Sequence, residues 1–413
     1  MKIVSVDVMQ VPSGNAGASR GDWSPVIVRI NTDEGISGFG EVGLAYGKGW
    51  RAGLGMVQDF AEVIIGEDPM NIEHIWETIF RKTFWGMGGG TVVYAGMSGI
   101  DIALWDIKGK ALNQPVWQLL GGKTNDKLRA YASQLQFGWS DLIQKDNKGE
   151  ALGLLFDPKD YYEVTKNALR DGYDAIKVDP VFAPTDPDTP LEKIWGSQGT
   201  QIRGCYRQHD LQRSVERIAA CREAGGPDMD IIVEIHSLLD ANTAAELGKA
   251  LEPLHIMYFE EPTSPENPSN FRHIKQKCDL PLATGERSYT RWGFRQFFED
   301  RTLSVIQPDL CNTGGITETK KICDMAQVYD MGVQIHVCGG PIATAAALQV
   351  EAAIPNFTIH EEHNANLKNI FIQAGKYYYK PENGYYTVPD LPGIGQEMTD
   401  EFLATCRKVV IGG

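Results

Sequence analysis

The chain has 413 residues, too many for one ordinary small core, so two domains or one large barrel with an appendage fit its size. Hydrophobic residues at 42% and charged residues at 23% exclude a mainly disordered chain. The balance of 54 Asp and Glu against 39 Lys and Arg, a net charge of −15, argues against nucleic acid or an anionic membrane surface as partner.

From the amino terminus, "MKIVSVDVMQVP" alternates as a strand does, and "PVIVRI" runs through the turn signal "TDEG" into "ISGFGEV", which predicts a hairpin in an antiparallel sheet. Three helical patterns follow: "MVQDFAEVIIG", "IEHIWETIFRKTFW", and the long "VYAGMSGIDIALWDIKGKALNQPVWQLLGG", whose end is marked by Gly121 and Gly122. Residues 1–125 therefore read as an α+β unit. Two Gly-rich stretches in it, "SGNAGASRGDWSP" (13 to 25) and "AYGKGWRAG" (45 to 53), have the composition of lids, with Trp23, Lys48 and Trp50 as candidate substrate contacts and Trp85 as another. Ordinary surface loops are the alternative.

Beyond residue 125 short apolar runs alternate with helix-sized amphipathic ones: "LRAYAS", "AIKVDP", "IIVEI", "IMYFEEP", "PLATGE", "SVIQPD", "VQIHV" and "FTIHEE". So many βα units over residues 126–376 predict a parallel α/β barrel of eight strands. One interval is too long for a single βα step. It holds "PVFAPTDPDTPLEKIWGSQGTQIRGCYRQHD", a candidate functional loop whose Arg203, Tyr206, Arg207 and His209 suit an acidic, hydroxylated ligand; a solvated insertion is the alternative. The turn-rich tail, residues 377–413, is expected to pack back on the first domain.

The seven cysteines are odd in number, scattered, and nowhere in a C-x-x-C pair, which argues against a disulfide framework or a zinc site and fits a reducing compartment. No stretch has signal-peptide character and no run reaches the roughly 18 apolar residues of a membrane span. A soluble, cytoplasmic protein without membrane or nucleic-acid partners is expected.

The polar residues at the strand ends carry the chemistry. Glu234 closes one strand, Glu260 the next and Glu286 the one after, at equal intervals of 26 residues. In a parallel barrel the carboxyl ends of all strands share one rim, so equal phase gathers three carboxylates there. They would repel one another without a hard cation between them, and Mg²⁺, one per subunit, suits all-oxygen ligation. His236 follows the first carboxylate by two residues and so points to the same side of the strand. His336 ends "GVQIH" and Asp309 ends the preceding strand, "VIQPD"; a carboxylate on the far imidazole nitrogen raises basicity, which makes His336 a candidate general base. His74, His209, His255, His273 and His363 are read as structural or left undecided.

Glu234-x-His236, Glu260-Glu261-Pro262, Gly285-Glu286-Arg287, "QPDLCNTGGITE", "IHVCGGPIATAAALQ" and "IHEEH" resemble the mandelate-racemase-like branch of the enolase superfamily, and within it the D-galactonate dehydratase group of acid-sugar dehydratases. The resemblance covers nearly the whole chain. It implies a modified (β/α)7β TIM-type barrel with an α+β capping domain built from the N-terminal region and the C-terminal tail. It also implies Mg²⁺ on Glu234, Glu260 and Glu286, a base dyad of His336 and Asp309, and His236 as the acid that protonates a leaving hydroxyl. Glu361 matches a residue hydrogen-bonded to the substrate carboxylate, and a protonated Glu361 is the expected donor.

The chain departs from the racemase pattern at Lys177-Val178-Asp179, where Lys-x-Lys would stand. That weakens two-base racemisation through a lysine, and leaves Lys177 either facing substrate or salt-bridged in the barrel. The first metal ligand is Glu rather than the commoner Asp. The expected reaction is dehydration of an aldonate such as D-galactonate or D-gluconate to a 2-keto-3-deoxy sugar acid, with mannonate another candidate. Acid-sugar epimerisation and a catalytically silent sugar-acid-binding protein are the alternatives. Association into a homo-oligomer is expected from the resemblance.

Overall fold

The strands near the amino terminus form an antiparallel sheet buried along most of its length, with Val6, Val8, Val28 and Ile30 of one face in the cap core and Met9, Ile27 and Phe39 of the other against the barrel core. In the computed structural model, which describes residues 1–12, 24–45, 49–139, 155–183, 204–367 and 369–413, β1 (Ile3–Gln10), β2 (Val26–Thr32) and β3 (Ser37–Val42) pair in that order. Three helices, α1 (Trp50–Ile64), α2 (Ile72–Lys82) and α3 (Gly90–Ala111), cover the sheet and close a core that includes Val28, Ile30, Phe60, Ile79 and Leu104. The long helix read from the sequence ends earlier than expected. Asn113 turns left-handed at φ 51°, Pro115 is extended, and only the short helix Val116–Leu119 follows; proline has no N–H with which to continue the ladder.

The barrel strands are β4 (Lys127–Ser133), β5 (Ala175–Val178), β6 (Asp230–Glu234), β7 (Tyr258–Glu260), β8 (Leu282–Thr284), β9 (Val305–Ile306), β10 (Gly332–Val333) and β11 (His360–His363). They lie parallel in the order β10-β9-β8-β7-β6-β5-β4-β11. A parallel bridge between Val333 and Phe357 joins the two ends of this path. Tyr131, Ala175, Ile232, Tyr258, Ala283, Val305 and Ile359 pack together as one layer, while Ile231, Val233, Phe259, Leu282 and Ile306 pack with the helices. Strand middles are apolar on both faces, so polar chemistry is confined to their ends.

The tail divides its contacts between the domains: β12 (Tyr385–Thr387) pairs antiparallel with β4 of the barrel, and β13 (Arg407–Gly412) with β1 of the cap. The cap also grips one barrel loop. Trp76 Nε1 donates to the Gly314 carbonyl at 2.9 Å, Ser98 Oγ accepts the N–H groups of Gly314 and Gly315 at 2.9 and 3.0 Å, and Asp101 accepts that of Thr317 at 3.0 Å. Gly315 has φ 82° and a Cβ there would strike Asp101, so only glycine lets the two domains approach this closely. All seven cysteines are free, and among the described residues no helix is long and apolar enough to cross a membrane.

Candidate active site

Three carboxylates meet where β6, β7 and β8 end. One oxygen from each of Glu234, Glu260 and Glu286 lies within 4.8 Å of the others. Glu234 and Glu260 are directly paired in the parallel register, so their side chains share a face. Glu286 arrives differently. The register partner of Glu260 is Ala283, and β8 stops at Thr284, so Glu286 is carried in by the turn at Gly285. A Cβ on Gly285 would lie 2.5 Å from the Gln307 carbonyl carbon, and this close approach to the next strand end lets the turn fold inward. One oxygen each of Glu234 and Glu260 is buried with no hydrogen-bond partner. Burial, and then the neighbouring charge of Glu234, push the Glu260 carboxyl well above its ordinary range. Orphaned, mutually repelling carboxylate oxygens are the donor set a hard divalent cation satisfies.

On the Glu234 side stands His236. Strand alternation does not aim it, because β6 has ended and His236 is left-handed at φ 49°. The turn is held by Glu234 itself, whose Oε1 accepts the His236 N–H at 2.7 Å and the Ile235 N–H at 3.1 Å. Nδ1 of His236 lies 2.6 Å from Asp179 Oδ2, and Nε2 lies 3.3 Å from Gln134 Nε2. Asp179 is fixed in turn by the N–H groups of Val181 and Phe182 at 2.7 and 2.8 Å. Burial disfavours the imidazolium, but the Glu234 charge and the Asp179 hydrogen bond outweigh it and push the pKa up to about 9.

His336 stands on the Glu286 side. Its Nδ1 lies 2.8 Å from Asp309 Oδ2, and its Nε2 lies 3.2 Å from Glu286 Oε2. Asp309 accepts the Cys311 N–H at 2.8 Å and Asn312 Nδ2 at 3.1 Å. Burial again opposes the charged ring, and the Glu286 charge and the Asp309 hydrogen bond raise its pKa well above the ordinary value. His363, left undecided from sequence, lies 3.4 Å from Cys338 Sγ.

Lys177 takes the second of the two places open to it. It is buried, with Nζ 2.8 Å from Glu260, 2.8 Å from Glu361 and 3.5 Å from Glu234, a salt-bridged barrel lysine among the carboxylates. That pairing corrects the expected state of Glu361. Its Oε1 accepts from Ser133 Oγ at 2.7 Å and its Oε2 from the Val337 N–H at 3.0 Å. Burial would raise its pKa, but the Lys177 ammonium overrides that and holds it far below the usual carboxylate range. In this arrangement Glu361 is an acceptor rather than the protonated donor expected.

The other candidate substrate contacts are dispersed. Trp23, Lys48 and Arg203 lie outside the described residues. Trp50 is buried in the cap core, because its position opens the first turn of α1 on the apolar face, and so it is not a lid contact. Trp85 is exposed in the turn after α2 and packs edge-on against Phe84. Tyr206 bonds Ser214 at 3.1 Å, and Arg207, at the N-cap of the helix Gln208–Gly225, is exposed and paired with Asp210 in that helix's first turn. The i,i+3 spacing of Arg207 and Asp210 satisfies that guanidinium locally.

Sequence reasoning missed Asp179, Gln134, Ser133 and Arg287. Asp179 carried a usable signal: it is two residues from Lys177 at the end of β5, and that spacing gives both residues one facing. Set against Lys-x-Lys the position shows a lost lysine, and the carboxylate gained there is the functional feature. Arg287, which pairs with Glu286 at 2.5 Å and also with Glu261, carried no such signal.

The chain matches the mandelate racemase / muconate lactonizing enzyme N-terminal domain over residues 1–121 and the enolase C-terminal domain-like family over residues 160–402. A D-galactonate dehydratase of Variovorax paradoxus is 32% identical over 381 residues, 91% of this chain and 89% of its own. A member of the enolase superfamily from Salmonella Typhimurium has a solved structure with TM-score 0.92 at 51% identity, covering 99% of both chains. The 3,6-anhydro-D-galactonate cycloisomerase of Zobellia galactanivorans matches with TM-score 0.78 at 27% identity, over 98% of this chain and 100% of its own.

Proposed function

This chain belongs to the mandelate racemase / muconate lactonizing enzyme family of the enolase superfamily, and from that premise we propose that it is a divalent-metal-dependent dehydratase of an acid sugar, an aldonate of the D-galactonate kind. The relatives named D-galactonate dehydratase support the reaction class. The observation that carries it is the pair of imidazole–carboxylate dyads flanking one carboxylate cluster, His336–Asp309 beside Glu286 and His236–Asp179 beside Glu234.

Dehydration of an aldonate needs a base at C2 and an acid at the C3 hydroxyl. His336 is positioned as the base: Asp309 holds its Nδ1 and leaves Nε2 directed at the cluster. His236, held on Nδ1 by Asp179 at 2.6 Å, is positioned as the acid that delivers a proton to the C3 hydroxyl, which departs as water. The resulting enol tautomerises to a 2-keto-3-deoxy acid. Glu234, Glu260 and Glu286 would hold the Mg²⁺ ion, which would supply positive charge against the anion developing at the substrate carboxylate and would offset the carboxylate charge that favours a protonated His336. Lys177 and Glu361 form a fixed ion pair at the cluster's edge and set the charge against which the substrate carboxylate binds.

Two-base epimerisation is favoured by one observation, the carboxylate partner on both histidines. A screen of aldonates with Mg²⁺, assayed for keto product by semicarbazide, separates the readings. Keto acid released with Mg²⁺ and lost on chelation is expected; epimer without keto product selects the second reading, and no turnover of any aldonate overturns both.

A further inference from the structure

A second cap contact, made by Glu41 and Gly43 at the end of β3, reaches the loops behind His336 and Asp309. Glu41, in β3, is fully buried, and it accepts the N–H groups of Gly340 at 2.5 Å and Ala343 at 3.1 Å. These donors belong to the first turn of the barrel helix Pro341–Ala353, which has no side-chain cap of its own. A carboxylate from the other domain, 299 residues away in the chain, thus satisfies the helix N-terminus where negative charge is favoured. The fit is close: a Cβ on Gly339 would lie 2.8 Å from Glu41 Oε1. The segment it grips follows directly on His336-Val337-Cys338.

Two residues further, Gly43 donates its N–H to the Cys311 carbonyl at 2.9 Å, and any side chain at Gly43 would strike Asn312. Cys311 and Asn312 are the residues that hold Asp309. One short piece of the cap therefore touches the loop behind each half of the dyad. His236 is different: Asp179, Gln134 and Glu234, all in the barrel segment, hold it.

We propose that the end of β3 is a positioning device for proton abstraction, in which Glu41 and Gly43 keep the His336 and Asp309 loops in register while the His236 dyad is held without them. The inference rests on His336 being the base. It predicts that loosening the cap contact degrades C2 deprotonation selectively.

The test uses full-length protein with Mg²⁺, the variants Glu41→Gln and Glu41→Ala, and His336→Asn as reference. With ¹⁵N-histidine labelling, the His336 ring signals, assigned by their loss in His336→Asn, are expected to shift or broaden in Glu41→Ala. The His236 signals stay in place. With D-galactonate and its C2-deuterated form, kcat is expected to fall roughly 10- to 100-fold in Glu41→Ala, the effect of a misplacement of up to about an ångström. The deuterium effect on kcat rises, KM changes little, and Glu41→Gln, which keeps one acceptor oxygen, recovers part of the loss. A merely structural role would lower the folded fraction and leave the His336 signals and the isotope effect of that fraction unchanged. Unchanged His336 signals in folded Glu41→Ala overturn the inference whether or not D-galactonate turns over. C2 exchange retained in His336→Asn overturns the base assignment instead, whatever the Glu41 variants do.

Discussion

The two histidine dyads present the same atoms in different settings. Each imidazole has a carboxylate on Nδ1, at 2.6 Å for His236 and 2.8 Å for His336. His236 is held within the barrel by the strand ends of β5 and β6 and by Gln134. His336 and Asp309 sit on loops between barrel and cap, with Glu41, Gly43, Ser98, Asp101 and Trp76 behind them. The residues that hold His236 thus come from the barrel segment, whereas the loops behind His336 and Asp309 are also held by the cap.

The strongest way to break the comparison is to remove each ring in turn. His336→Asn is expected to abolish exchange of the C2 proton in D₂O, a loss of about 10² to 10⁴ or more. His236→Asn should lose keto product by a similar factor yet keep C2 exchange, since abstraction precedes loss of the hydroxyl. Equal loss of exchange in both would show that the two rings are not divided between base and acid.

Removing the carboxylate behind each ring sharpens the contrast at smaller amplitude. Asp179→Asn leaves the His236 ring but removes one source of its raised pKa. The expectation is a roughly 10-fold fall in product release, an alkaline limb of the kcat profile that moves to lower pH, and near-normal C2 exchange. Asp309→Asn should instead lower exchange and product together. Asp179→Asn with an unmoved alkaline limb would separate Asp179 from the acid step.

The smallest effect concerns stability. Glu41 and Asp101, both at the cap–barrel contact, have pKa values pushed up to about 7, above all by burial. For a carboxyl raised on folding, the stability it contributes is full below its ordinary value and is lost as pH rises through the folded value. The thermal midpoint of the metal-free protein is therefore expected to fall by a few degrees between about pH 5 and pH 8. Asp101→Asn should flatten that slope, and a slope unchanged in Asp101→Asn would remove this carboxyl from the account.

Whatever depends on period and local signals was legible along the chain. The strand-like runs of β1–β3, helical spacing in α1 and α2, and the recurring apolar runs with Glu234, Glu260, Asp309 and His336 at their ends follow from how each element is buried, on one face or on both, and burial pattern is written residue by residue. Even there, equal spacing proved a looser guide than it looked. The interval from Glu234 to Glu260 is a true register pair, whereas Glu286 sits three residues past the partner of Glu260 and depends on the Gly285 turn. The rest arose from contacts between distant segments. Asp179 became the partner of His236 because the His236 turn swings the ring across to β5; Glu361 became an acceptor because Lys177 ends between it and Glu260. Glu41 caps a helix nearly 300 residues away because the cap sheet lies against the barrel rim. Each of these is a meeting of polar groups from distant segments, and periodicity within a segment carries no record of which distant side chain will fill the space beside it.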